Sequence, residues 1–160
     1  MNIVLLAPEI PQNTGNIARS CAATYSALHL IKPLGFELSD RYLKRAGLDY
    51  WQYVSYTIYE NIDDFRTRNP DAQCYYASTK ARRAYCDVAY QPADYLFFGC
   101  ETKGLPESLL REEYERCIRI PMREEARSLN LSNSVAIVLF EALRQQGFEG
   151  LVERGQLGGS

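Results

Sequence analysis

The sequence predicts an α/β fold, a mostly parallel sheet flanked by helices, and three observations predict it. Its strand candidates are short, continuous apolar runs such as residues 2–7, "NIVLLA", which suit strands buried on both faces. Segments with helical spacing alternate with them, and strand, helix, strand within about 30 residues is the pattern of a βαβ unit. The loops after several strands are short and rich in Gly, Ser and Asn. In open α/β sheets, ligands bind at those strand ends.

The first strand candidate ends before Pro8, and "GNIARSCAATYSA" follows as a helix with Asn16 placed to cap it. "LHLIKPL" reads as a second buried strand. "DRYLKRAGL" looks helical with Asp40 near its start, "YVSYTIY" alternates like a strand, and "NIDDFRTRN" is a short helix stopped by Pro70. Three more apolar runs, "QCYYAS", "DYLFFG" and "RCIRIP", end in small residues or proline. Between the last two, "LPESLLREEYE" opens with Pro106, a residue favoured in the first turn of a helix. The last element, "SNSVAIVLFEALRQQG", is a long apolar helix capped by Ser132 or Asn133 and stopped near Gly147.

A chain of 160 residues with 46% hydrophobic composition is long enough for one core. A single domain is expected over residues 1–150, with 151–160 as a flexible tail. The formal charge of −2 argues against a protein that coats nucleic acid through a broad basic surface, although it leaves room for a local patch. Five cysteines without a CxxC pair support neither a disulfide framework nor a zinc site, and a reducing cytoplasm is the expected location. No apolar run approaches the roughly 18 to 20 residues that span a bilayer. The single histidine, His29, lies in a strand with no second ligand nearby, so a structural role is expected and no metal.

Three loops carry the functional signal. In "NTGNIAR", Gly15 permits close approach, Asn13 and Asn16 supply amide groups, a helix N-terminus attracts anions, and Arg19 follows within the helix. "FGCETKGLPES" follows a buried strand and holds Gly99, Glu101 and Gly104, but it is neither a Walker loop nor GxGxxG. In "IPMREEARSLNLSNSVA", Ser128, Asn130, Ser132 and Asn133 offer more hydrogen-bonding groups than one helix cap needs. A weaker fourth element joins Lys80, Arg82 and Arg83 to Tyr76 and Tyr85, a set able to meet a nucleic-acid backbone and stack on a base. Arg41, Lys44 and Arg45 with Tyr50 and Trp51 make a similar offer.

In order and spacing, "NTGNIAR", "FGCETKGLP" and "IPM…SLNLSNSVAI" resemble the three motifs of the 2′-O-ribose branch of SPOUT-class RNA methyltransferases. The short chain is similar to the TrmL (YibK) group, which methylates the wobble-nucleotide ribose of leucine tRNAs. That resemblance implies a C-terminal trefoil knot, a homodimer, S-adenosylmethionine as methyl donor and the tRNA anticodon loop as partner. It implies a cofactor pocket at Ser78, Gly99, Ile120, Ser128 and Leu129, and a catalytic set of Arg19, Asn13 and Asn130. Arg19 is expected to bind the phosphate beside the target ribose, and Glu101 to organise its loop. Dimerisation is expected to bring the Arg41–Arg45 segment of one subunit to the Lys80–Arg83 cluster of the other. Two readings compete: a 2′-O-methyltransferase acting on another tRNA position or on ribosomal RNA, and a flavodoxin-like binding module without chemistry.

Overall fold

The apolar runs pair side by side in a computed structural model of the chain, which describes residues 1–37 and 53–157. The strands are β1 (Asn2–Leu6), β2 (Ala27–Ile31), β3 (Tyr56–Tyr59), β4 (Cys74–Ala77), β5 (Arg83–Ala84), β6 (Tyr95–Phe98) and β7 (Cys117–Arg119). The helices are α1 (Pro11–Ala23), α2 (Ile62–Arg68), α3 (Glu107–Glu112) and α4 (Leu131–Gln145). Among the described residues the strands form one sheet in the order β3-β2-β1-β6-β4-β7-β5, and every pairing is parallel. The helix expected at "DRYLKRAGL" lies outside the described residues.

Period-two alternation sends neighbouring side chains of each strand to opposite faces, and both faces are covered. Ile3 and Leu5 of β1 join Ile17 and Cys21 of α1 and Val135, Val138 and Leu139 of α4. Val4 joins Phe65 of α2, Leu109 and Leu110 of α3, and Phe97 of β6 on the other face. There Phe65 meets Phe97 edge-on at 5.0 Å, and Tyr76 meets the same ring at 5.0 Å. His29 stands at the margin of that aromatic group. Its Nε2 faces Asn2 Oδ1 at 3.2 Å and its Nδ1 faces Tyr59 Oη at 2.9 Å. Asn2 Nδ2 donates to Ala93 O at 3.0 Å, so Asn2 Oδ1 is an acceptor and His29 carries its proton on Nε2. The histidine is structural, as expected.

Three helix starts differ from the sequence-based expectation. α1 begins at Pro11 rather than at Asn16, and its N-cap residue, Ile10, has no capping side chain. Proline at the first helical position carries a preset φ and lacks an N–H that would otherwise need a partner. Asn13, Gly15 and Asn16 are therefore helical, not parts of a loop. α4 is capped by Asn130 rather than Ser132 or Asn133, its side chain accepting from the N–H groups of both. Pro106 is the N-cap of α3 and lies just before its first turn.

Candidate active site

The sheet order reverses at β1: β2 and β3 lie to one side of it, and β6, β4, β7 and β5 to the other. Such a reversal opens a crevice at the carboxyl ends of the strands. Four connections meet there: residues 7–10 after β1, 78–82 after β4, 99–106 after β6, and 120–130 after β7. Together they line a cleft of about 490 Å³. That volume lies within the roughly 300–1,000 Å³ usual for small-molecule sites.

A chain of hydrogen bonds with a fixed direction ties the three main loops together. The Glu101 carboxylate accepts from Glu9 N at 2.8 Å, Ile10 N at 3.1 Å and Asn13 Nδ2 at 3.0 Å. Asn13 Oδ1 in turn accepts from Asn130 Nδ2 at 3.0 Å. Asn130 Oδ1 accepts from Ser132 N at 2.9 Å and Ser132 Oγ at 2.7 Å. A carboxylate at one end can only accept and backbone N–H groups at the other can only donate, so the orientation of both amides between them is determined. Glu101 also places negative charge at the amino end of α1, whose first turn contains no acidic residue of its own. Its bonds to Glu9, Ile10 and Asn13 tie the loop after β6 to the start of α1, 91 positions away.

Ser78, Gly99, Ile120, Ser128 and Leu129, the five expected pocket residues, all line the cleft, together with Asn13 and Asn130. Arg19 does not line it; the arginine is exposed, farther along α1. Two of the five already have local tasks. Ser78 Oγ accepts from Lys80 N at 3.2 Å within its own turn. Gly99 faces the returning strand of its loop, where a Cβ would overlap backbone atoms of Gly104 and Leu105. That loop closes through Gly104 N donating to Cys100 O at 2.9 Å, with Gly104 at φ 69. The small residue at 99 thus serves loop closure as well as access to the cleft.

The cleft also has cations that sequence reasoning passed over: Lys103, Arg119 and Arg127 line it beside Lys80. Lys103 lies inside the second motif and Arg127 inside the third, which was the available signal, whereas Arg119 ends β7 just before the third. The expected basic cluster is partly engaged elsewhere. Lys80 Nζ lies 3.6 Å from Glu107, Arg83 donates to Asp87 O at 2.8 Å, and Arg82 sits over the Tyr114 ring at 5.3 Å. Tyr76 is only 4% exposed, because strand alternation turns it into the core, so it is not a surface for stacking a base. Burial also pushes its phenol well above the usual tyrosine range. Residues 41–45, Tyr50 and Trp51 lie outside the described residues.

Residues 1–140 match the SpoU rRNA Methylase family. The chain belongs to this family. A relative from Geobacillus stearothermophilus is 52% identical over 94% of this chain and 98% of its own. A Burkholderia cenocepacia relative, a tRNA (cytidine(34)-2'-O)-methyltransferase, is 50% identical over 93% of this chain and 97% of its own. Among solved structures, one concerned with the 2-OH methylation of C/U34 on tRNA superposes with TM-score 0.85 at 41% identity, covering 91% of this chain and 95% of that one. An AdoMet-bound rRNA methyltransferase from Sinorhizobium meliloti gives TM-score 0.78 at 26% identity, covering 89% of this chain and 55% of that one. The SpoU methylase assignment agrees with the resemblance drawn from the three motifs.

Proposed function

We propose that this SpoU-family methyltransferase moves a methyl group from S-adenosylmethionine to the ribose 2′-hydroxyl of nucleotide 34 in tRNA. Cytidine or modified uridine is the acceptor nucleotide, and a leucine tRNA is the acceptor molecule. The single observation that carries this reading is end-to-end identity of about half with a tRNA (cytidine(34)-2'-O)-methyltransferase, in a chain whose three matching loops converge on one cleft.

The residues present fit S-adenosylmethionine. The cleft has the size of a cofactor site, is lined by residues of four connections, and includes Ser128, Asn130 and several small residues able to meet an adenosine. Ser78, Gly99, Ile120, Ser128 and Leu129 would hold it. The group supplies an activated methyl on a sulfonium, and transfer from it is an in-line displacement that rewards fixed geometry.

In this reading the chain's own residues orient the acceptor. Asn13 and Asn130 each keep one amide N–H beyond those used in their mutual chain, and these donors steer the ribose oxygen. Arg19 binds the adjoining phosphate and aligns the hydroxyl. A guanidinium keeps its proton at a pKa above about 12, so Arg19 acts as an anchor and the hydroxyl proton leaves late, to phosphate or water.

The same proposal includes a homodimer, a cytoplasmic location and a threaded C-terminal path. Ile137 and Phe140, three positions apart on α4, are exposed at 36% and 46% and offer apolar surface to a second copy. Among the described residues no helix is long and apolar enough to cross a membrane. β7 enters the sheet between β4 and β5, both earlier in the chain, which supports the trefoil knot.

Ribosomal RNA is the second reading, favoured by the family's description and by the Sinorhizobium meliloti neighbour. Calorimetry with S-adenosylhomocysteine, then transfer of a labelled methyl to tRNA and to ribosomal RNA in parallel, tests both. Binding with label in tRNA supports the proposal. Label in ribosomal RNA alone replaces it.

A further inference from the structure

The segment between β1 and α1 is held from both sides. Ala7 has φ 53, the left-handed region that is strained for a residue with a side chain, and its N–H donates to Ile31 O at 2.8 Å. Gly35 N donates to Pro8 O at 2.9 Å, and a Cβ on Gly35 would stand 2.6 Å from Glu9 O and 2.7 Å from Glu9 Cα. One side of the Glu9 backbone is therefore packed to contact.

On the other side Glu9 and the loop after β6 exchange bonds in both directions. Glu9 N donates to Glu101 Oε2 at 2.8 Å, while the Glu9 carboxylate accepts from Thr102 N at 3.1 Å and Thr102 Oγ1 at 2.9 Å. This is the reciprocal logic of a helix capping box, side chain to backbone each way, spread over two loops 92 positions apart. The Cys100–Gly104 closure shapes the second loop but does not orient it toward α1. The bonds through Glu9 and Thr102 do.

We propose that Glu9 and Thr102 are positioning residues for methyl transfer, a clamp that holds the Glu101 carboxylate against Asn13 and so aligns the Asn13–Asn130 pair at the cleft. The role rests on the function proposed above. Thr102 and Glu101 line the cleft and Glu9 does not, so Glu9 acts through Glu101. Alignment errors near 1 Å at such a site cost about a hundredfold in rate.

The test combines side-chain amide NMR with steady-state kinetics on Glu9→Ala, Glu9→Gln, Thr102→Val and Thr102→Ser. Glu9→Ala is expected to move the Asn13 and Asn130 side-chain amide resonances and to lower kcat at least tenfold. KM for S-adenosylmethionine and affinity for S-adenosylhomocysteine are expected to stay within threefold. Glu9→Gln, which keeps an acceptor for Thr102, restores both readouts, and Thr102→Ser behaves as wild type. Thr102→Val falls between, and serves in place of Glu9→Ala if that variant does not fold. Unmoved amide resonances, a Gln variant as impaired as Ala, or an equal loss of S-adenosylhomocysteine binding would overturn the clamp. If the wild-type protein methylates no RNA, the functional reading fails, and the amide resonances still decide the clamp.

Discussion

Asn130 Nδ2 donates to Asn13 Oδ1 at 3.0 Å, joining the start of α4 to the first turn of α1 across 117 positions of sequence. The same Asn130 uses its oxygen to cap α4, so the residue has two separable tasks. Asn130→Ala removes both, and is expected to cost about 1 kcal/mol of stability together with activity. Asn130→Asp keeps the cap but sets two acceptors face to face, so it is expected to be the more stable variant and still lose turnover at least tenfold. Urea unfolding and methyl transfer measured on both variants check this. An Asp variant with near-normal turnover would show that the amide pair is not needed.

Arg19 stands outside the cleft, which suits an anchor for the phosphate next to the acceptor rather than a group in contact with the cofactor. A lysine offers a point charge without the planar fork of donors. Arg19→Lys is expected to lower kcat by tenfold or more while S-adenosylhomocysteine affinity is unchanged. Calorimetry and initial rates on one preparation separate these quantities.

Gly99 and Gly104 lie in one loop and are expected to respond differently to alanine. At Gly99 the obstacle is backbone, which cannot rotate away, so Gly99→Ala is expected to cost about 3 kcal/mol or more and to weaken S-adenosylhomocysteine binding. At Gly104 nothing lies within 4 Å of a new Cβ, and only its φ of 69 opposes the change. Gly104→Ala is therefore expected to cost about 1 kcal/mol. Denaturant midpoints of the two variants give the ordering.

Burial, with a smaller contribution from Arg68, lowers the His29 pKa from 6.5 to about 4. Below pH 6.5 the unfolded chain takes up a proton at this position that the folded chain refuses. Stability from His29 is thus fully present above pH 6.5 and falls as the pH drops toward 4, by a total on the order of 3 kcal/mol. Unfolding free energies across that window should decline with this slope, and His29→Gln should flatten it. An unchanged slope in the variant would assign the acid limb to other groups.

The strands were legible because parallel strands buried on both faces must be continuous apolar runs, and residues 2–7 or "DYLFFG" have no other use. β5 was not legible, since Arg83–Ala84 pairs with β7 through backbone alone and carries no apolar signal. The start of α1 was misjudged because its cap, Glu101, comes from another loop, and the one local signal, Pro11 at the first helical position, was passed over in favour of Asn16. Tyr76 was taken for surface because it adjoins Lys80 in sequence, although its place in β4 determines which face it takes. Of Ser128, Asn130, Ser132 and Asn133 around the start of α4, all are chemically able to cap, and backbone geometry selects Asn130. The five pocket residues were reachable only through the motif resemblance, since Leu129 or Ile120 has no chemistry that singles it out.

The most direct test of the central claim is nucleotide mapping by mass spectrometry of leucine tRNA lacking the modification, after incubation with the protein and S-adenosylmethionine. The account predicts one added methyl, on the ribose of nucleotide 34, and none with Arg19→Ala. A methyl at any other nucleotide, or on a base, would contradict it.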